Sequence, residues 1–222
     1  MVNIVETLRI LIADDHQLFR DGVRALLQSH AGWEICGEAS TGREAVAKTI
    51  ELRPDVIILD ISMPDLNGAD AARRIRMASK NAEILILSVH YSDQLIREII
   101  DAGAHGYVLK TDSDRDLLLA VESLARHKPF FTSKAKRVIQ NEFIREGKFT
   151  NISTVLRNPL SSREREIVQL LAEGKNSREV SLSLGISVKT VETHRANIMR
   201  KLEIHNVSEL VRYAVRNQLI EP

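Results

Sequence analysis

The chain has 222 residues, of which 44% are hydrophobic and 27% charged, and a formal net charge of +1. This composition fits a folded chain of one or two domains and excludes collagen-like, mucin-like and wholly disordered classes. One cysteine, Cys36, rules out an intrachain disulfide and a cysteine-based zinc site; no apolar run nears the roughly 18 residues of a membrane span, and the first residues carry no secretory signal, so a cytoplasmic protein with no membrane partner is expected.

In chain order, the first half alternates short apolar runs with segments of helical period. The runs are Ile10–Ala13, a weaker one at Trp33–Gly37, Val56–Leu59, Ile84–Leu87 and Tyr107–Leu109. Between and after them, Leu18 to Leu27, Arg43 to Leu52, Ala69 to Met77, Leu95 to Ala102 and Arg115 to Leu124 place apolar residues three and four apart. β-branched runs separated by helices predict a parallel sheet covered on both faces. Five such repeats predict a flavodoxin-like, doubly wound, five-stranded α/β domain over 7–126.

The residues at the ends of these runs carry the chemistry. The first run ends in Asp14-Asp15, the third in Asp60, the fourth in Ser88 and the fifth in Lys110. Carboxyl ends of strands form the ligand crevice of such a sheet. Three carboxylates converging there repel unless a cation joins them, and hard oxygen donors suit Mg²⁺. An ammonium and a hydroxyl opposite them can hold a phosphoryl group, and an aspartate beside a metal can become an acyl phosphate. Singly, each aspartate could instead cap a helix. His16, beside the acidic pair, is expected at the pocket rim and not as a metal ligand, since Mg²⁺ prefers oxygen.

Asp14-Asp15, Asp60 with Met63-Pro64 and Gly68 downstream, Ser88, Tyr107 and Lys110 resemble the receiver domain of bacterial two-component response regulators. The resemblance implies that Asp60 is the phospho-acceptor, fed by a histidine kinase. It implies that Asp15, Asp60 and the Ser62 backbone carbonyl ligate Mg²⁺, with Asp14 acting through water. Ser88 and Lys110 would contact the phosphoryl group, and Tyr107 would be the aromatic that rotates with Ser88. Thr111 follows Lys110 where many receivers have proline. A Mg²⁺-dependent phosphohydrolase would need a second acid two residues beyond the nucleophile; that position is Ser62. No enzyme is expected, beyond the domain's own phosphoryl transfer and autodephosphorylation.

Residues 127–154 are expected to be a linker with a helix of about a dozen residues around Ala135 to Phe143, followed by a tether over 146–158. Charge also changes here. Residues 1–125 hold 13 basic against 20 acidic side chains (−7), and residues 126–222 hold 18 against 10 (+8), which makes nucleic acid a candidate partner of the second half. That half shows helices only. One starts at Ser162, with Arg165 and Glu166 read as part of its capping turn. A short one begins at Ser177 and ends at Gly185, a long one spans Val188 to Leu202, and a last one spans Val207 to Arg216. The short helix, glycine turn and long helix form a helix-turn-helix pattern within an all-α four-helix domain over 155–222.

Leu160 to Glu166, Ala172 to Asn176, Ile186 to His194, Ile198 and Lys201-Leu202 resemble the LuxR-type DNA-binding domain, and the whole chain resembles a NarL/FixJ-type response regulator. The expected partner is duplex DNA. The surface of the long helix comprises Lys189, Thr190, Glu192, Thr193, Arg195, Ala196, Arg200 and Lys201. Glu192 stands where many relatives carry a base-contacting lysine. Val207, Leu210, Val211 and Ala214 are expected to form a homodimer contact, with Leu210 doubling as core. The function expected is a transcription factor switched by phosphorylation; the rival is a constitutive DNA binder whose receiver only dimerises.

Overall fold

The computed structural model describes residues 7–146 and 159–220. Almost all of the tether expected over 146–158 lies outside these residues. The first unit alternates β1 (Leu8–Ala13), α1 (Gln17–Gln28), β2 (Trp33–Ala39), α2 (Gly42–Leu52), β3 (Val56–Asp60), α3 (Gly68–Ala78), β4 (Glu83–Ser88), α4 (Asp93–Asp101), β5 (Gly106–Leu109) and α5 (Asp114–Ala125). All its strand pairings are parallel, in the order β2-β1-β3-β4-β5. Successive side chains of a strand point to opposite faces. Leu11, Ile57, Leu59, Ile84 and Ile86 therefore pack with α2, α3 and α4, while Ile10, Ile12, Ile58, Leu85 and Leu87 pack with α1 and α5.

The sheet has six strands among the described residues, one more than expected. β6 (Phe130–Phe131) pairs with β5, matching Gly106 with Phe130 and Tyr107 with Phe131. α6 (Ser133–Glu146) then returns across the sheet and buries Ala135 and Val138 in the same core as α3 and α4. The helix expected in the linker exists, and its first half belongs physically to the core of the first unit. The Tyr91 hydroxyl, on the β4–α4 loop, donates to the Lys134 carbonyl at 3.1 Å, tying that loop to the start of α6.

The second unit holds α7 (Ser162–Ala172), α8 (Ser177–Leu184), α9 (Val188–Leu202) and α10 (Val207–Arg216). Leu160, Ile167, Leu170, Val180, Val191, Ile198 and Leu219 build its core. The caps sit one residue earlier than expected. Ser161, not Ser162, caps α7 in a reciprocal box with Glu164, and Asn176, not Ser177, caps α8 in a box with Glu179. Gly185 ends α8 at φ 62°, a left-handed conformation that a side chain would oppose, and so sets the turn into α9.

Candidate functional site

β1, β3, β4 and β5 deliver their following or final residues to one edge. Asp14 and Asp60 are each 2% exposed there, and Asp15 stands at the rim. Lys110 Nζ lies 2.7 Å from Asp14 Oδ2 and 3.1 Å from Asp60 Oδ1, and 4.7 Å above the Phe19 ring. Among the described residues, Asp14 Oδ2 has only the Lys110 ion pair and Asp60 Oδ2 has no partner. Burial pushes the Asp60 carboxyl up to about 7; Asp14 and Asp15 push the same way, and Lys110 opposes them. Burial works against the Lys110 charge, but Asp60 and Asp14 outweigh it and raise its pKa.

Two buried carboxylates thus face one ammonium, and Asp60 Oδ2 is left unclaimed among the described residues. A hard divalent cation fits this set: it would be held by oxygen donors and offset the excess negative charge. Asp14, Asp15 and His16 bring one potential ligand atom each within 4.8 Å of one another. His16 Nδ1 sits 2.9 Å from Asp15 Oδ1, and its backbone N–H donates to Asp14 Oδ1 at 2.9 Å, so it braces the acidic pair from the exposed side. Ser62 shares a crevice with Asp15, Met63, Gln169, Glu173 and Leu219. The start of α3 presses on the end of β3: a Cβ at Gly68 would fall 2.0 Å from the Asp60 carbonyl oxygen.

Ser88 and Tyr107 meet at one atom. The Ser88 hydroxyl donates to the His90 carbonyl at 3.0 Å and accepts from the His90 N–H, so it is turned onto its own loop. Tyr107 is fully buried, and its hydroxyl donates to the same carbonyl at 2.7 Å. The His90 carbonyl as a shared acceptor was not visible in the sequence, because a backbone atom carries no residue signature. The Lys110-Thr111 peptide is trans.

On α9, Lys189, Thr190, Glu192, Thr193, Ala196 and Arg200 are exposed and Arg195 is half-buried. Lys201 is exposed as well, and its Nζ is bound to both Glu164 oxygens at 2.7 and 2.8 Å, tying α9 to the α7 cap. Thr190 is drawn into the helix cap, its hydroxyl 2.8 Å from Ser187 Oγ. On α10, Leu210 (2% exposed) and Ala214 (0%) are spent on the domain's own core and leave the expected dimer face. Val207, 48% exposed, and half-buried Val211 remain of it.

The sequence also left unmarked a polar seam between the two units. Arg165 of α7 makes a two-point pair with Asp70 of α3, at 2.6 and 3.2 Å. Asp70 is held below the usual carboxylate range: burial opposes this, but Arg165 and Arg73 prevail. Glu166, 0% exposed, is shared by Arg43 of α2, Arg74 of α3 and Arg163. Gln169 donates to the Met63 carbonyl at 2.8 Å and accepts from the Asn67 N–H at 2.9 Å, clamping the loop between β3 and α3. Lys175 pairs with Asp65, and Glu173 accepts from the Asp65 N–H at 3.1 Å. Near the end of α10, the Gln94 side chain reaches Asn217 at 3.4 Å.

Comparison with known proteins agrees with these two halves. Residues 10–122 match the family described as the response regulator receiver domain, and residues 158–214 match the bacterial regulatory proteins of the luxR family. The chain is 36% identical over 218 residues to the oxygen regulatory protein NreC of Staphylococcus epidermidis, covering 96% of this chain and 100% of that one. It is 33% identical over 215 residues to the response regulator protein VraR of Staphylococcus aureus, covering 97% and 100%. Among solved structures, the RcsB response regulator of Salmonella typhimurium is 25% identical with a TM-score of 0.57, covering 93% of this chain and 98% of that one. RcsB has also been solved as two dimers bound to two parallel DNAs.

Proposed function

Because the chain belongs to the NarL/FixJ family of two-component response regulators and is a DNA-binding transcriptional regulator, we propose that phosphorylation of Asp60 by a histidine kinase controls its dimerisation and DNA binding. The observation that carries this is the buried Asp60 carboxylate, its Oδ2 without a partner among the described residues, held beside Lys110 and Asp14. In the transfer, an Asp60 oxygen bonds to phosphorus while the phosphorus–nitrogen bond of the kinase phosphohistidine breaks. Mg²⁺, held by Asp15, Asp60 and the Ser62 carbonyl and by Asp14 through water, would supply charge neutralisation. Lys110 holds a phosphoryl oxygen, and Ser88 reaches it by leaving the His90 carbonyl, which frees Tyr107 to move with it.

The output is controlled through the seam. Gln169 holds the Met63 carbonyl and the Asn67 N–H, only three and seven residues past Asp60. New charge on Asp60 reshapes that loop and loosens α7. The docked form leaves Lys189, Glu192, Thr193, Ala196 and Arg200 exposed, while the end of α10 lies against α4. Docking therefore restrains pairing of two chains more than reading of DNA. Footprinting with and without acetyl phosphate tests this: protection of paired half-sites should appear at lower protein concentration with the donor. An unchanged footprint refutes the switch.

Two further outcomes are expected. In limiting Mg²⁺, the initial rate of phosphorylation by acetyl phosphate should rise with pH and level off above about 7, because the nucleophile is the deprotonated Asp60. Saturating Mg²⁺ should shift that rise to lower pH, as a bound cation favours the carboxylate. A rate flat in pH at low Mg²⁺ contradicts the assignment. Val211→Asp should leave circular dichroism unchanged but cost about tenfold or more in cooperative binding to two half-sites. Parent-like cooperativity in gel shifts would move the dimer contact elsewhere.

A further inference from the structure

Glu192 is an acid in the middle of the exposed surface of α9, and among the described residues it makes no hydrogen bond or ion pair. Lys189 lies one helical turn before it and Arg195 one turn after, and neither side chain neutralises it. The rest of the stripe is committed or small. The Thr193 hydroxyl donates back to the Lys189 carbonyl at 2.9 Å, which leaves its methyl as the free group, and Ala196 offers only a methyl. A lone carboxylate on a surface that approaches a polyanion is repelled by it. The cost is recovered only where the nucleic acid presents a donor.

We infer that Glu192 is a specificity-determining residue that reads the exocyclic amine of a cytosine in the major groove. The inference rests on α9 being the helix that enters the groove, as in the proposed function. The choice of base follows from the groove edges. Guanine shows two acceptors and thymine an acceptor and a methyl, so both repel a carboxylate. Adenine places its N7 acceptor beside its N6 donor, so one carboxylate oxygen gains while the other is opposed. Cytosine shows the N4 donor with no acceptor beside it on the same base. The acid thus acts mainly by exclusion: it penalises every sequence lacking a cytosine at its position, while Lys189 and Arg200 supply attraction that is less discriminating.

The test is selection of binding sites from a randomised duplex pool, using the full chain with acetyl phosphate and Mg²⁺, for the parent, Glu192→Ala, Glu192→Gln and Lys189→Ala. The parent should select cytosine at one position of each half-site by about tenfold or more over other bases. Glu192→Ala should lose preference at that position alone while binding unrelated DNA more tightly. Glu192→Gln should exchange cytosine for adenine, because an amide supplies both the donor and the acceptor that adenine requires. Lys189→Ala should keep the cytosine. Cytosine retained in both Glu192 variants, or preference weakened evenly at all positions, overturns the inference and leaves the DNA-binding reading intact. A parent that selects no sequence overturns that reading, and this one with it.

Discussion

Asp60→Asn should abolish phosphorylation by any donor and, in the same stroke, make the protein harder to unfold. The first effect follows from the loss of the nucleophile: an amide oxygen cannot form the acyl phosphate. The second follows from burial. The Asp60 carboxyl is pushed up to about 7, so the folded chain holds a proton there that the unfolded chain releases near pH 4. The stabilisation associated with that proton is complete below the unfolded value and is lost as pH rises through about 7. Above that pH the parent carries a poorly paired buried charge that the variant lacks. The displacement sets an upper limit of about 4 kcal/mol, reduced because Lys110 loses one of its two acidic partners. Thermal unfolding without Mg²⁺ at pH about 8 and about 4 measures it. The variant should melt several degrees higher at the upper pH, with the gap closing at the lower one and narrowing when Mg²⁺ is added. A parent as stable as the variant at high pH would show that Asp60 is not strained by its surroundings.

Arg165→Ala should open the molecule. The Arg165–Asp70 pair is two-pointed and enclosed, and removing Arg165 leaves buried Asp70 with Arg73 and Asn67 alone, at a cost of up to about 3–5 kcal/mol. That penalty applies only when the units are docked, so the docking equilibrium constant falls by up to about two to nearly four orders of magnitude. Small-angle scattering should record a larger radius of gyration without phosphodonor, and paired half-sites should bind at concentrations the parent reaches only after phosphorylation. Linkage demands the reciprocal: a chain that undocks readily should be phosphorylated more readily. Asp70→Ala should act alike, and the double variant should recover part of the closure, because two absent charges are cheaper than one stranded. Scattering and donor dependence unchanged in Arg165→Ala would remove the seam from the switch.

The acceptor pocket was legible because each of its side chains follows a run of Val, Ile and Leu whose period names the strand. β2 was fainter in the sequence, since it lies at the sheet edge, half-covered, with its register shifted against β1 between Ile10 and Leu11. β6 was invisible: two phenylalanines after a proline have no period to detect. The charged face of α7 was hidden for a different reason. Arg165 and Glu166 read only as part of a capping turn, and helical spacing cannot reveal a partner surface whose acids and bases lie about a hundred residues away in the chain. The Lys201–Glu164 pair was hidden for the same reason, because Glu164 sits two helices upstream.

The seating of Ala135 and Val138 beneath α4 bears on how such chains can be recombined. A gene fusion joined at residue 126, where the five repeats end, would strip β6 from β5, leave a raw sheet edge at Gly106 and Tyr107, and uncover the apolar flank of α4. The inherited cassette is longer than its repeats: it must carry the chain through at least Ile139, which also packs on that core. New output modules are therefore best spliced downstream of α6, where the incoming sequence meets the exit of a helix already anchored to the sheet and, through Tyr91 and Lys134, to the loop that carries His90.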